Sequence, residues 1–224
     1  MSELHPKPHY SGSMVTILRP CVGSSFSAWR TQASVLTVIP EGTIPEEING
    51  IAVSPWQEAP LSDADWEMYA AHRGVVSEPD FTLPERLNPA AGAVILEPDN
   101  RVWLVHPTNQ YAGYTATFPK GSVDAGCSLQ TTALKECFEE AGLKVRILGW
   151  LGDYPRTSSY TRYYLAERVG GSPAEMSWES QAVSLVHLDI LQQIATSAFD
   201  EPVINDLRRY LCELAVSKPE AGRV

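Results

Sequence analysis

The apolar and polar positions fall into blocks of different period along the chain. Between residues 14 and 53, β-branched runs at 14–18, 34–39 and 48–53 are separated by Pro and Gly, a pattern that predicts three short strands. Ser62 then stands where an N-cap belongs, ahead of an amphipathic stretch that reaches His72 and predicts a short helix. Pro79, Pro84 and Pro89 punctuate residues 76–89, which read as a linker. Beyond it, runs at 91–96 and 102–106 flank Pro98, Asp99 and Asn100, a hairpin pattern with turn residues at its tip. A helix follows over 128–141, then strand-like stretches at 145–152, 160–169 and 182–188. The chain closes with a short helix near 190–195 and a longer one over 202–216, where Val203, Leu207, Leu211 and Leu214 recur at helical spacing behind Pro202. Residues 1–13 have no periodicity and read as a loose or docked tail. Strands on both sides of a central helix, closed by further helices, predict an α/β fold. The natural division is a β-rich N-terminal unit over 1–86 and a main domain over 87–224.

Charge narrows the partners. The 224 residues carry a net charge of -10 with no run of clustered Lys and Arg, so the surface field repels polyanions and nucleic acid is a poor candidate ligand. A small phosphorylated metabolite remains open to the chain, because a bound cation reverses the local sign of the field. Cys21, Cys127, Cys137 and Cys212 are scattered, with no C-x-x-C pair, which argues against zinc and against a disulfide framework. Cys127 and Cys137 fall at opposite ends of the predicted helix, about 15 Å apart at about 1.5 Å per residue, too far to bridge. No apolar run is long enough for a membrane span or a signal peptide, so we expect a cytoplasmic, non-membrane protein.

The chemistry concentrates in one segment. On the helix over 128–141, Glu136, Glu139 and Glu140 are spaced by three and four residues and share a face, opposite an apolar face of Leu134, Cys137, Phe138 and Ala141. Carboxylates crowded in this way repel one another unless a counter-charge is present, and a hard divalent cation with oxygen ligands, magnesium or manganese, suits the position. In isolation such a face is more often an ordinary solvated helix surface. What sets this one apart is its surroundings. Phe118-Pro119-Lys120-Gly121 precedes the helix as a tight loop whose glycine carbonyl has no side chain in its way, and Gly142 sits where a helix-ending glycine belongs.

Residues 121–143 resemble the Nudix box, a pattern of Gly, five residues, Glu, seven residues, Arg-Glu, an aliphatic, one residue, Glu-Glu, one residue, Gly and an aliphatic. Gly121, Glu136, Glu139, Glu140, Gly142 and Leu143 match it in register. The resemblance implies a Nudix-type α/β/α sandwich with a small, mainly β N-terminal extension. It implies a magnesium-dependent hydrolase (manganese as substitute) that cleaves a phosphoanhydride bond in a small nucleoside or inositol diphosphate compound. By the same resemblance Glu139, Glu140 and the Gly121 carbonyl are metal ligands, with Glu140 also in a catalytic role. Glu136 is either a further ligand or the residue that orients and deprotonates the attacking water. Two positions depart from the pattern: Cys127 replaces the first glutamate, and Lys135 the arginine. A thiol is no carboxylate, and Lys lacks the planar fork that holds a neighbouring one. We expect these changes to remove a structural contact rather than the metal site. Cys137, where an aliphatic is usual, behaves as a small hydrophobe.

Several other residues have two readings each. Lys120 is a contact for a substrate phosphate or a plain surface lysine. Glu175 and Glu179 lie in a loop where some relatives place an additional carboxylate. Tyr160, seventeen residues after Leu143, matches a feature of dinucleoside polyphosphate hydrolases, or is an ordinary strand residue, whereas Pro155 is too close to the box to match the proline associated with ADP-ribose cleavage. His106 and His187 read as satisfied strand histidines. The rival to an active enzyme is a ligand-sensing domain that keeps the fold but has lost part of the box, and a homodimer is open in either case.

Overall fold

A computed structural model describes residues 3–17, 19–108 and 115–217. The N-terminal arm runs from β1 (Glu3–Leu4) to β2 (Thr16–Ile17), which pair antiparallel. After α1 (Phe26–Arg30) and β3 (Val35–Val38), the run at 48–53 divides: β4 (Glu47–Ile48) and β5 (Ile51–Ala52) form a hairpin whose tip residues, Asn49 and Gly50, both have positive φ. The β-branched run predicts one strand at 48–53; the Asn-Gly pair turns the chain there instead. The helix α1 and the shortness of β2 also differ from the three predicted strands.

The helix expected after Ser62 is α2 (Asp63–Arg73). Its Ser62 and Asp65 form a reciprocal capping box. The main sheet begins with β6 (Asn88–Leu96) and β7 (Arg101–Pro107), the predicted hairpin, with Asn100 at φ 63° in the turn. Then come β8 (Lys120–Ser122), α3 (Leu129–Ala141), β9 (Leu143–Pro155), β10 (Ser159–Gly171), β11 (Ser180–His187), α4 (Leu191–Ile194) and α5 (Glu201–Ser217). Seven strands form one mixed sheet in the order β3-β11-β7-β6-β10-β9, with β8 paired to β6; β6 and β10 run parallel and the other pairs antiparallel.

Both faces of this sheet are apolar, which fixes the layers. Ala93, Ile95, Trp103, Val105, Ala166, Val183 and Leu185 alternate onto one face and meet Leu134, Cys137 and Ala141 of α3. Their neighbours Val94, Val102, Leu104, Tyr163, Leu165 and Val186 face the other way, against Val203, Ile204 and Leu207 of α5. Those three α5 residues are fully buried, each worth about 1.5–3 kcal/mol against exposure. The result is the expected α/β/α sandwich.

The sequence boundary near residue 86 does not separate two cores. The strand β3 is the edge of the main sheet, paired with β11, and Trp29, Leu36, Val38, Ile48, Trp66 and Ala70 join the same apolar cluster as α3. A buried polar knot fastens the β4–β5 hairpin. Arg168 donates to Glu97 Oε1 (2.6 Å) and to the Ile48 carbonyl (2.7 Å), while Trp103 and Asn49 donate to the same Glu97 carboxylate at 2.8 and 2.9 Å. Glu97 and Arg168 are both essentially without solvent contact, so each charge depends on the other.

Candidate active site

Two local features aim the carboxylates. The Ser128 side chain caps α3 by accepting from the Thr131 N–H, and Gly142 ends the helix in the left-handed region at φ 67°. The short strand β8, expected only as a loop, pairs with Ala90, Ala91 and Gly92 of β6 and lays Gly121 against the helix. A Cβ at position 121 would overlap Glu136 Oε1 and Cδ and lie 2.6 Å from Oε2, so a larger residue there would displace the Glu136 carboxylate from its place. Glu136 is thereby buried beneath the β8 backbone. Its neighbour Glu140 accepts from the Lys120 backbone N–H at 2.7 Å. Glu139 and Glu140 are half-buried.

The segment 172–179 closes the cluster at the C-terminal end of α3. Ser172 N–H donates to the Gly142 carbonyl (2.9 Å), and Ser177 N–H to that of Glu139 (2.8 Å). The Glu179 carbonyl accepts from Thr108 N–H at 2.8 Å, which fixes Glu179 beside the end of β7. The four carboxylates feel one another. Burial, then Glu140, Glu139 and Glu179, push Glu136 well above the ordinary carboxylate range. Burial first, with help from Glu179, raises Glu139 to about 7 against the opposing pull of Lys135. Glu140 is likewise raised to about 7 by burial, although Lys120 and its backbone N–H lower it. Burial raises Glu179, with His9, Lys120 and Lys135 opposing.

These groups have more negative charge than their surroundings neutralise, which is the condition a divalent cation relieves. Among the described residues no three Asp, Glu, His or Cys side chains close into a metal cage of their own. The donor set is an open one, carboxylates beside a glycine carbonyl, and that fits magnesium, which keeps waters and substrate phosphates in its shell.

Lys135 and Cys127 have an unexpected solution. Lys135 Nζ donates to Asp124 Oδ2 (2.6 Å) and to Asp63 Oδ1 (2.7 Å), so the contact expected to be missing is made by two other carboxylates. One lies in the box and the other at the start of α2. Lys135 is held protonated above its ordinary range: burial opposes this, and the hydrogen bonds that it donates to Asp124 and Asp63 outweigh it. Cys127 lies just before the Ser128 cap rather than inside the helix, and all four cysteines are free thiols.

The other sequence candidates separate. Lys120 and Glu179 face the carboxylates, whereas Glu175 pairs with Lys7 of the arm at 3.3 Å. Tyr160 packs on Phe81 of the linker, with ring centres 5.5 Å apart, at the start of β10. His106 hydrogen-bonds Ser184 Oγ at 2.8 Å, and His187 Nδ1 accepts from the Asp189 N–H at 3.3 Å, so both are satisfied within the fold. The sequence reading missed Asp63, Asp124, His9, Tyr10 and Trp178. Only Asp124 had a local signal, as a carboxylate inside the box three residues before Cys127.

An RNA pyrophosphohydrolase of Caulobacter vibrioides is 35% identical over 95 residues, 42% of this chain and 52% of that protein, so the chain spans about half the length of this curated relative. Solved structures that resemble it include a NUDIX hydrolase from Nitrosomonas europaea (21% identity, TM-score 0.48, 83% of this chain and 89% of that one). A second is a C. elegans Ap4A hydrolase binary complex (23% identity, TM-score 0.46, 55% and 98%). The NUDIX domain model matches residues 86–207, more than half of the 224, and the whole carboxylate helix lies inside that span: the chain belongs to the NUDIX domain family.

Proposed function

We propose that this protein is a magnesium-dependent hydrolase, with manganese as a substitute, that splits a phosphoanhydride bond in a small organic diphosphate. A single observation supports it most: Glu136 lies against Gly121 and Glu140 against the Lys120 N–H, with Glu139 and Glu179 close enough to act on the Glu136 carboxyl together with burial. Glu139, Glu140 and the Gly121 carbonyl would hold the metal, and a divalent cation held there would supply charge compensation for the leaving phosphate and a more acidic water. Glu136, fixed under the glycine, orients the attacking water and takes its proton; Glu179 is the additional carboxylate, and Glu140 assists from its place against Lys120 N–H. Lys120 meets the substrate phosphate. The water oxygen bonds to phosphorus as the anhydride P–O bond breaks, and two phosphorylated fragments leave. We assign Glu175 to anchoring the arm, and Tyr160 to the approach beside the linker.

The substrate class within this reaction is a nucleoside or inositol diphosphate compound of the dinucleoside polyphosphate or ADP-ribose type. An RNA 5′ end enters as an alternative through the relative's name, and the net charge of -10 opposes it. Magnesium-dependent product release from ADP-ribose, diadenosine polyphosphates, nucleoside triphosphates, diphosphoinositols and a 5′-triphosphorylated RNA tests the proposal. Turnover of one class, lost in Glu139→Gln/Glu140→Gln, supports it. Binding without turnover across the panel leaves a ligand-sensing domain instead.

A further inference from the structure

The arm over residues 3–13 is fastened to the active-site loop rather than to its own unit. His5 is completely buried; its Nε2 donates to the Ser180 carbonyl at 3.1 Å and its Nδ1 accepts from the Lys7 N–H at 3.0 Å. Lys7 Nζ donates to the Glu175 carbonyl and pairs with its carboxylate. These anchors set a tight turn, in which Gly12 N–H donates to the His9 carbonyl (2.7 Å) and His9 N–H to the Ser13 carbonyl (2.9 Å). The turn places His9 and Tyr10 against Trp178, the residue before Glu179. The His9 and Trp178 ring centres are 4.4 Å apart, and Tyr10 meets Trp178 edge-on at 5.7 Å.

Two features of this aromatic cluster are unexplained by packing alone. Tyr10 leaves 69% of its surface exposed although it is anchored by its backbone turn. The Trp178 Nε1 is buried and has no hydrogen-bond partner among the described residues, a state that costs stability unless a ligand satisfies it. The cluster also borders the carboxylates: burial, then Glu139, Glu179 and Glu136, push the Tyr10 hydroxyl up. Its cations are few. Lys135 is paired with Asp63 and Asp124, and Lys7 with Glu175. A polyanionic inositol needs a basic surface, whereas a nucleobase needs an aromatic face and a polar handle.

Resting on the hydrolase reading above, we propose that His9, Tyr10 and Trp178 form the specificity subsite, an aromatic wall supplied by the N-terminal arm that receives the base of a nucleoside diphosphate compound. The arm is then a substrate-selecting element, and ring-bearing diphosphates are preferred over diphosphoinositols.

The test uses the full chain with Tyr10→Ala and Trp178→Phe, and Trp178→Ala beside them. The first removes an exposed side chain and the second keeps a ring in place, so folding survives in both. KM and kcat are measured on ADP-ribose and on a diphosphoinositol, and ADP binding is followed by tryptophan fluorescence. The expected result is a KM for ADP-ribose raised about tenfold by Tyr10→Ala and by Trp178→Ala, with kcat within about twofold. The diphosphoinositol parameters stay unchanged, and the ADP-induced fluorescence change is lost in Trp178→Phe. Turnover of ADP-ribose with KM untouched by either alanine variant overturns the subsite and leaves the hydrolase standing. ADP binding that depends on Tyr10 and Trp178, in a protein that hydrolyses nothing, supports the subsite and removes the hydrolase. Preference for the diphosphoinositol overturns the inference outright.

Discussion

Lys135 shows how a residue that departs from the family pattern keeps a structural role. Its ammonium is bonded to Asp124 and Asp63, and Cys127 lies close enough to feel both carboxylates and the lysine. Asp124→Asn should therefore lower stability by about 0.5–1 kcal/mol, as a partly exposed ion pair does. Cys127→Glu in that background should restore it, because the glutamate re-supplies a carboxylate at the family position. Thermal melts in low salt decide the point; no rescue would mean that Cys127 lies outside this charge group. The same carboxylates set the pH response of the metal-free protein. Glu139 and Glu140 have folded-state values near 7, above the ordinary 4.5. Their protonated forms fit the fold better, so the stabilisation is full below pH 4.5 and is lost as pH rises through about 7. Metal-free protein should melt lower at pH 8 than at pH 5, and magnesium should raise the melting temperature chiefly at pH 8. A melting point insensitive to magnesium at pH 8 argues against a metal at this position.

At the scale of elements, α3 is positioned from both sides. From one side β8 presses Gly121 onto Glu136; from the other, α2 packs Trp66 against Phe138 with ring centres 5.9 Å apart. Trp66 is 3% exposed in the shared core, so Trp66→Ala should cost about 3–5 kcal/mol through the cavity it leaves. Because α2 and α3 share that core, the loss should shift one cooperative unfolding transition. A separate early transition, with the main one unmoved, would instead show α2 to be an independent appendage. Much of this scale was legible in the sequence. The helix caps Ser62 and Gly142, the hairpin at Asn100 and the register of Glu136, Glu139 and Glu140 all depend on short-range spacing. The edge strand β3 was visible as a β-branched run, but its partner β11 lies nearly 150 residues away, and nothing local names it. The docking of the arm was illegible for the same reason: Lys7 and Glu175 are 168 residues apart.

The whole molecule is a single sandwich whose N-terminal third is tied to it by charge as well as packing. Arg168→Met should destabilise it by about 3–5 kcal/mol by leaving Glu97 buried without a counter-charge. Denaturant melts that show a loss below 1 kcal/mol would contradict the buried pair. Around that frame, the arm, α2 and the segment 172–179 converge on one carboxylate cluster, and everything proposed about activity depends on that cluster holding a divalent cation. Mn2+ binding, read by electron paramagnetic resonance in the wild type and in Glu139→Gln/Glu140→Gln, tests this most directly. Saturable binding in the wild type at neutral pH is expected, with affinity at least about tenfold weaker in the variant. Equal binding by both proteins would contradict it.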